Sequence, residues 1–227
     1  MKTGTRLLLV PTDLERQKLP SSCVEQWLDC GHRIEICGFG QVVGAARTMQ
    51  LLANGSFDSV ALVGIAGALS DDVAIGSAVQ FGTVYCDGIG VGQGSIHRSA
   101  MDMGWHQWPR EPQIDDTIQL SAQLSAQLSA HEHEHPLPGL VSVFAASATP
   151  TEAAWRRSRF PLGKAEDMEG FGVAVACRLA NVPLTIVRGI SNRAGDRDHT
   201  NWNIEGSLEQ AMQLILHKLL QTQEVFE

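Results

Sequence analysis

A run of small apolar residues at 171–180, followed after a short turn by Pro183-Leu184-Thr185-Ile186-Val187, constrains the fold of this chain more than any other stretch. The first run is apolar on most faces and reads as a buried helix, with Asn181 as the left-handed residue that ends it. The second is a short apolar run after a turn signal, which predicts a strand buried in a parallel sheet. In open α/β sheets of this kind ligands bind beyond the carboxyl ends of the strands. That edge receives Arg188, Ser191 and Asn192, while Asp167-Met168-Glu169-Gly170 opens the helix. Glu169, expected in the first helical turn, has a bland reading as a partner of the helix dipole. Its functional reading is a carboxylate that shares one pocket with Arg188 and Asn192.

The rest of the chain repeats this alternation. Residues 6–10 form an apolar first strand, and Pro11-Thr12-Asp13 is a turn that caps a helix starting near Leu14, so Glu15 falls at the tip of that strand. Residues 33–37 are the second strand. Gly38-Phe39-Gly40 then turns into a helix reaching about Leu52, although its glycine spacing is not that of a dinucleotide site. A strand at 59–63 delivers Gly64-Ile65-Ala66-Gly67-Ala68 as a turn whose backbone groups face the ligand. Residues 76–85 read as one or two extended segments, 139–144 as a strand, and Thr151 as the start of a helix. Residues 195–199 form a polar loop over the pocket mouth, Trp202 is a wall or lid, and 205–220 is an amphipathic helix with Leu208, Met212, Ile215 and Leu219 inward.

With 227 residues the chain fits one domain, 1–227, interrupted by a low-complexity, loop-like insertion at about 100–136. A net charge of -8 without a Lys/Arg cluster disfavours nucleic acid and leaves a small substrate as the expected partner. No run approaches membrane-spanning length. No signal peptide is expected, because the first residues pass directly into a five-residue strand. The five cysteines are odd in number and lack C-x-x-C spacing, which favours free thiols in a reducing cytoplasm. His131-Glu132-His133-Glu134-His135 would align three imidazoles only if extended. Pro136 and Pro138 favour an exposed loop instead, so neither a metal nor a cofactor is expected.

These residues together resemble the nucleoside phosphorylase and nucleosidase superfamily, and within it the futalosine hydrolases, over nearly the whole chain outside roughly 90–138. The resemblance lies in Gly38-Phe39-Gly40, Val63-Gly64-Ile65-Ala66-Gly67-Ala68, Met168-Glu169-Gly170, and Arg188-Gly189-Ile190-Ser191-Asn192 with Gly195-Asp196-Arg197-Asp198 and Trp202. It implies an α/β fold, a three-layer α/β/α sandwich with a mixed, partly barrel-like central sheet. It also implies a cytoplasmic, homo-oligomeric hydrolase acting in menaquinone biosynthesis, with the helix from Gly170 as a candidate subunit contact.

Carried over residue by residue, Glu169 would accept the ribose hydroxyls and Met168 pack on the sugar. Arg188 and Glu15 would hold and activate water, Ser191 and Asn192 address the purine, and Gly64 to Gly67 line the site with backbone. Asp167 stands where adenine-releasing relatives usually have Glu, and Asn192 where they have Asp. Cleavage of an N-glycosidic bond passes through a cationic sugar that a carboxylate stabilises. Asn cannot supply a proton but can donate an N–H to a 6-oxopurine, which points to hypoxanthine as the leaving base. The competing readings are an adenine-releasing nucleosidase, a phosphorylase, which would need a cationic phosphate cradle, and a non-catalytic nucleoside-binding relative.

Overall fold

The computed structural model describes residues 4–120 and 136–224. In chain order its elements are β1 (Arg6–Val10), α1 (Asp13–Lys18), α2 (Ser21–Asp29), β2 (Arg33–Ile36), α3 (Gln41–Asn54), β3 (Ser59–Ala68), β4 (Ala78–Phe81), β5 (Thr83–Asp87), the short β6 (Gly90–Val91) and β7 (Arg98–Ser99), β8 (Thr117–Gln119), β9 (Gly139–Val143), α4 (Pro150–Arg159), β10 (Gly163–Asp167), α5 (Gly170–Leu179), β11 (Leu184–Arg193) and α6 (Ile204–Glu224).

Strand β1 shows why the sheet is central. Successive side chains of a strand point to opposite faces. Leu7 and Leu9 enter one core with Leu51 of α3 and Phe171, Val173 and Cys177 of α5. Leu8 and Val10 enter the other, with Trp27 of α2 and Leu208, Met212 and Ile215 of α6. A strand covered by helices on both sides has no face left for polar residues, so from Leu7 to Val10 its sequence is apolar. The result is the expected three-layer sandwich. The side chain of Leu219 lies outside the described residues.

The sheet is mixed and branches at β3. Strand β1 pairs in parallel with β2 and with the first half of β3. Beyond β1, the end of β3 pairs antiparallel with β10, which continues through β9 and β5 to β8. Along its other edge β3 pairs with β11, and β11 with β4.

Several boundaries differ from the sequence reading for identifiable reasons. The expected turn at Gly64 to Gly67 is strand, and β11 runs past Val187, because these two strands pair from Val60↔Leu184 to Ala68↔Arg193 with one irregularity between Ile190 and Asn192. Each satisfies the other's backbone groups, so neither needs to turn. The first expected helix is two, since Leu19 is extended before Pro20, a residue whose ring disfavours helical geometry at the position before it. Asn181 does end α5 in the left-handed region, at φ 53°. Residues 76–85 hold two strands, and β8, inside the segment expected as a loop, adds an edge to the main sheet. Residues 121–135, including the His-Glu repeat, lie outside the described residues. Helix α5 is not a free subunit contact: Gly170 to Ala174, Ala176 and Cys177 are all buried within the chain.

Candidate active site

At the carboxyl edge of β1, β10 and β11 lies a cavity of about 290 Å³. Glu15, Ile65, Ala66, Gly67, Met168, Glu169, Ser191 and Asn192 line it, as do Thr12, Phe39, Ala146, Glu166, Asp167, Arg197, His199 and Trp202. Arg188 and Gly64 stand immediately behind its wall.

Each acidic group is positioned by a specific local device. Thr12 is the N-cap of α1 and its Oγ1 accepts the Glu15 N–H at 3.2 Å. The Glu15 carboxylate, however, leaves the helix. Its Oε1 accepts the Ile65 N–H at 3.0 Å and its Oε2 accepts the Thr12 hydroxyl at 2.6 Å, which fixes it over β3. Glu169 is the N-cap residue of α5 rather than a first-turn residue, and it makes no side-chain cap. That duty falls to Asp167, whose Oδ2 accepts the Gly170 N–H at 2.9 Å, and to Ser142, whose Oγ accepts the Phe171 N–H at 2.8 Å. Relieved of capping, Glu169 accepts the Gly40 N–H at 3.0 Å and Arg188 Nη2 at 3.2 Å. Gly40 reaches it because α3 and α5 pack closely at Gly172, where a Cβ would overlap the Gln41 carbonyl, and because Gly40 itself sits at φ 83°.

Arg188 is fully buried. Its Nε and Nη2 bond Asp167 Oδ2 at 3.0 and 2.5 Å, so Asp167 both caps α5 and aims the guanidinium. Its Nη1 has no partner among the described residues. Gly64 locates that free donor: a Cβ there would meet Arg188 Nη1 first and Glu15 Oε1 next, at 2.8 Å. A buried donor and a fixed carboxylate oxygen therefore flank one small volume above β3. This is an arrangement that can hold a water by its oxygen and take its proton.

The charges are coupled. Burial pushes the Glu169 carboxyl up to about 7, against the pull of Arg188, with Asp167 and Glu15 adding to the rise. Burial draws the Arg188 guanidinium down, but Asp167, Glu169 and Glu15 reverse this and hold it above the ordinary arginine range. Burial also pushes the nearby Cys37 thiol up to about 12, so it is no nucleophile at neutral pH. Met168 is half-buried beside Glu169. Ser191 donates to Asn192 Oδ1 at 2.8 Å, and Asn192 Nδ2 donates to the Arg193 carbonyl at 2.8 Å and more loosely to that of Asp196 at 3.4 Å. At the mouth, Arg197 lies over the Trp202 ring at 5.0 Å, and His199 stacks on the same ring.

A match to the model of the Phosphorylase superfamily spans residues 31–221. The chain belongs to that superfamily. Among similar members, a futalosine hydrolase from Acidothermus cellulolyticus is 43% identical over 70 residues, 31% of this chain and 29% of the relative. Another, from Streptomyces coelicolor, is 29% identical over 153 residues, 67% of this chain and 61% of the relative. The chain thus spans less than two thirds of the length of these two curated relatives. A 5'-methylthioadenosine/S-adenosylhomocysteine nucleosidase from Maridesulfovibrio salexigens is 26% identical over 181 residues, 78% of this chain and 74% of that one. Among solved structures, the futalosine hydrolase of Helicobacter pylori matches with a TM-score of 0.74 at 17% identity, covering 96% of this chain and 98% of that one. At this identity the match speaks for the superfamily fold.

Reading the sequence missed the work of Asp167, Gly40 and Glu166. Asp167 had one available signal, since alternation along β10 places it on the opposite face from Glu166 and Met168, next to the helix start. The others depend on contacts distant in sequence.

Proposed function

We propose that the cavity is the active site of a nucleosidase that hydrolyses the N-glycosidic bond of futalosine, releasing hypoxanthine and dehypoxanthinyl futalosine, with water as the nucleophile. Glu15 and the free N–H of Arg188 position and deprotonate the water. Glu169 grips the ribose hydroxyls and stabilises the cationic sugar of the transition state. Met168 packs on the sugar, and Ile65, Ala66 and Gly67 form the floor under the nucleoside.

Asn192 is the observation that bears most on the base. It is a neutral amide at the cavity wall, held by Ser191 and by the Arg193 and Asp196 carbonyls. An amide has no proton to give, so it suits a base that leaves without full protonation. A 6-oxopurine does so by spreading negative charge onto O6 and N7. The N–H on the long bond to Asp196 is the one such a base recruits.

The Maridesulfovibrio relative supports a second reading, an adenine-releasing methylthioadenosine/S-adenosylhomocysteine nucleosidase. A phosphorylase is disfavoured, because Glu15, Asp167 and Glu169 surround the Arg188 guanidinium and would repel phosphate. Incubation with futalosine, its 6-amino form and methylthioadenosine, followed by chromatography of the free base, separates these readings. Hypoxanthine should be released fastest, and equal or faster release of adenine would sink the proposal.

A homo-oligomer in the cytoplasm, supplying menaquinone biosynthesis, belongs to the same proposal. The exposed apolar start of α3, Phe39 at 63%, Val42 at 71% and Val43 at 52%, adjoins the cavity mouth and offers a face that a second copy covers. A fully active monomer by solution mass measurement would refute that part.

A further inference from the structure

The carboxylates that line the cavity all have partners in its wall. Glu166 accepts Arg156 Nη1 at 2.5 Å and the Ser147 hydroxyl at 2.8 Å. Asp167 and Glu169 share Arg188, and Glu15 is tied to Ile65 and Thr12. The cation of the lining is placed differently. Arg197 is the one Lys or Arg among the described lining residues. It forms no ion pair and no hydrogen bond among the described residues, and lies over the Trp202 ring at 5.0 Å.

The acids on either side of Arg197 are the obvious partners for it, but both are engaged within the loop. Asp196 Oδ1 accepts the Asp198 N–H at 2.9 Å, and its Oδ2 accepts Asn201 Nδ2 at 3.1 Å. Asp198 Oδ1 accepts the Thr200 N–H at 3.0 Å and the Thr200 hydroxyl at 2.7 Å. Trp202 is itself fixed, since its Nε1 donates to the Asp196 carbonyl at 3.2 Å. A guanidinium carried on an aromatic face keeps its N–H donors for another partner. Depth decides which part of a nucleoside meets them. Glu169, Ser191 and Asn192 are buried, and in the proposed reaction they hold the ribose hydroxyls and the base. Trp202 is half-buried and Arg197 exposed. With base and ribose held inside, the part of a nucleoside left to reach the mouth is the substituent on its 5′ carbon. The outer lining also contains Leu14 and Phe39, both apolar and exposed, which suits an apolar arm with its charge at the far end.

We propose that Arg197 selects nucleosides whose 5′ substituent ends in a carboxylate, by pairing with that group at the cavity mouth. The assignment rests on the nucleosidase reading of the cavity, and futalosine, whose 5′ arm ends in a benzoate, has this chemistry. The planar fork of an arginine matches a carboxylate with two parallel N–H···O bonds. A 5′-phosphate, in contrast, sits directly on the ribose, which Glu169 holds. Water and salt screen an exposed pair, so the carboxylate is worth roughly 10-fold in kcat/KM, expressed in KM.

The test compares futalosine with its methyl ester, which keeps the arm and removes the charge, in the wild-type chain and in Arg197→Gln and Arg197→Lys. Wild-type kcat/KM should be roughly 10-fold higher for the acid, through KM, and this ratio should shrink as salt is raised. Arg197→Gln should bring the ratio near one by weakening futalosine alone, and Arg197→Lys should keep part of it. If Arg197 only props Trp202, or serves the departing base, the Gln variant slows acid and ester alike and leaves the ratio unchanged, which overturns the proposal. A wild-type chain that handles the ester as well as the acid overturns it without any variant. Inosine 5′-monophosphate turned over faster than futalosine overturns it too, because the guanidinium then serves a phosphate. The two readings fail separately, since calorimetric titration of acid and ester reports the charge preference without turnover. A chain that binds the acid more tightly than the ester and cleaves neither contradicts the nucleosidase reading, whereas cleavage of both at equal kcat/KM contradicts only the role of Arg197.

Discussion

Adding one methyl group at Gly64 should disable the site while leaving the fold. A Cβ at this position would overlap Arg188 Nη1 and lie 2.8 Å from Glu15 Oε1 and 2.9 Å from Pro11 Cδ, whereas ordinary contact begins at 3.4 Å. None of the three neighbours is free to yield. Arg188 is fully buried and doubly bonded to Asp167, Glu15 is tied to the Ile65 N–H and to Thr12, and Pro11 is a rigid ring next to β1. Overpacking of this kind costs about 1–3 kcal/mol of stability, and each kcal/mol lowers the melting temperature of a domain this size by roughly 2–4 °C. The kinetic effect is larger, since moving a positioning group by about 1 Å costs on the order of 10²-fold in rate. Gly64→Ala should therefore melt several degrees lower and lose about 10²-fold or more in kcat/KM. Gly64 does not line the cavity, so the variant should still bind free hypoxanthine nearly as well as the wild type. Thermal melting, steady-state kinetics and base titration measure the three effects. A folded variant with wild-type kinetics would refute the claim that Arg188 Nη1 and Glu15 must hold their positions.

Three further substitutions probe the other groups. Glu15→Gln should leave substrate binding nearly intact and lower kcat by roughly 10²–10⁴, as for a lost general base; a parallel rise in KM would instead assign Glu15 to binding. Glu169→Gln should weaken binding and reduce kcat by about 10²–10³. Because burial pushes Glu169 up to about 7, wild-type kcat/KM should fall as pH drops through that value, and the variant should lose this limb. Stability carries the opposite sign. Between the ordinary value of 4.5 and about 7 the folded chain keeps a proton that the unfolded chain has released, so this group makes folding less favourable as pH rises through that window. Melting curves should show Glu169→Gln gaining on the wild type over the same range. Asn192→Asp should shift preference from 6-oxo to 6-amino purines, because a carboxylate set against the Arg193 and Asp196 carbonyls is pressed toward its protonated form and can then serve N7; unchanged base preference in a competition assay would remove Asn192 from base selection.

What could be read from the sequence were the groups adjoining apolar runs. Glu169 and Arg188 border a buried helix and a buried strand, so local pattern alone places them at one sheet edge. Glu15 was legible by its distance from β1, and Thr12 to Glu15 even has the spacing of a capping box. In the structure one oxygen of the Glu15 carboxylate stays on the Thr12 hydroxyl while the other accepts the Ile65 N–H, 50 residues away, and that distant bond marks it as part of the site. The bond from Gly40 to Glu169 spans 129 residues and the one from Arg188 to Asp167 spans 21. No local pattern encodes such pairings. The extension of β3 through Gly67 was hidden for the same reason: Gly64 and Gly67 look like a turn until β11 is laid beside them. Glu166 reads as one more acidic residue near a helix start, and only the structure ties it to Ser147 and Arg156.

The most direct measurement of the proposed chemistry is the fate of solvent oxygen during turnover of futalosine. In water enriched in ¹⁸O and free of phosphate, the proposed function predicts stoichiometric release of hypoxanthine and one ¹⁸O atom at the anomeric carbon of the sugar product by mass spectrometry. An unlabelled sugar product, or turnover that appears only when phosphate is added, would contradict it.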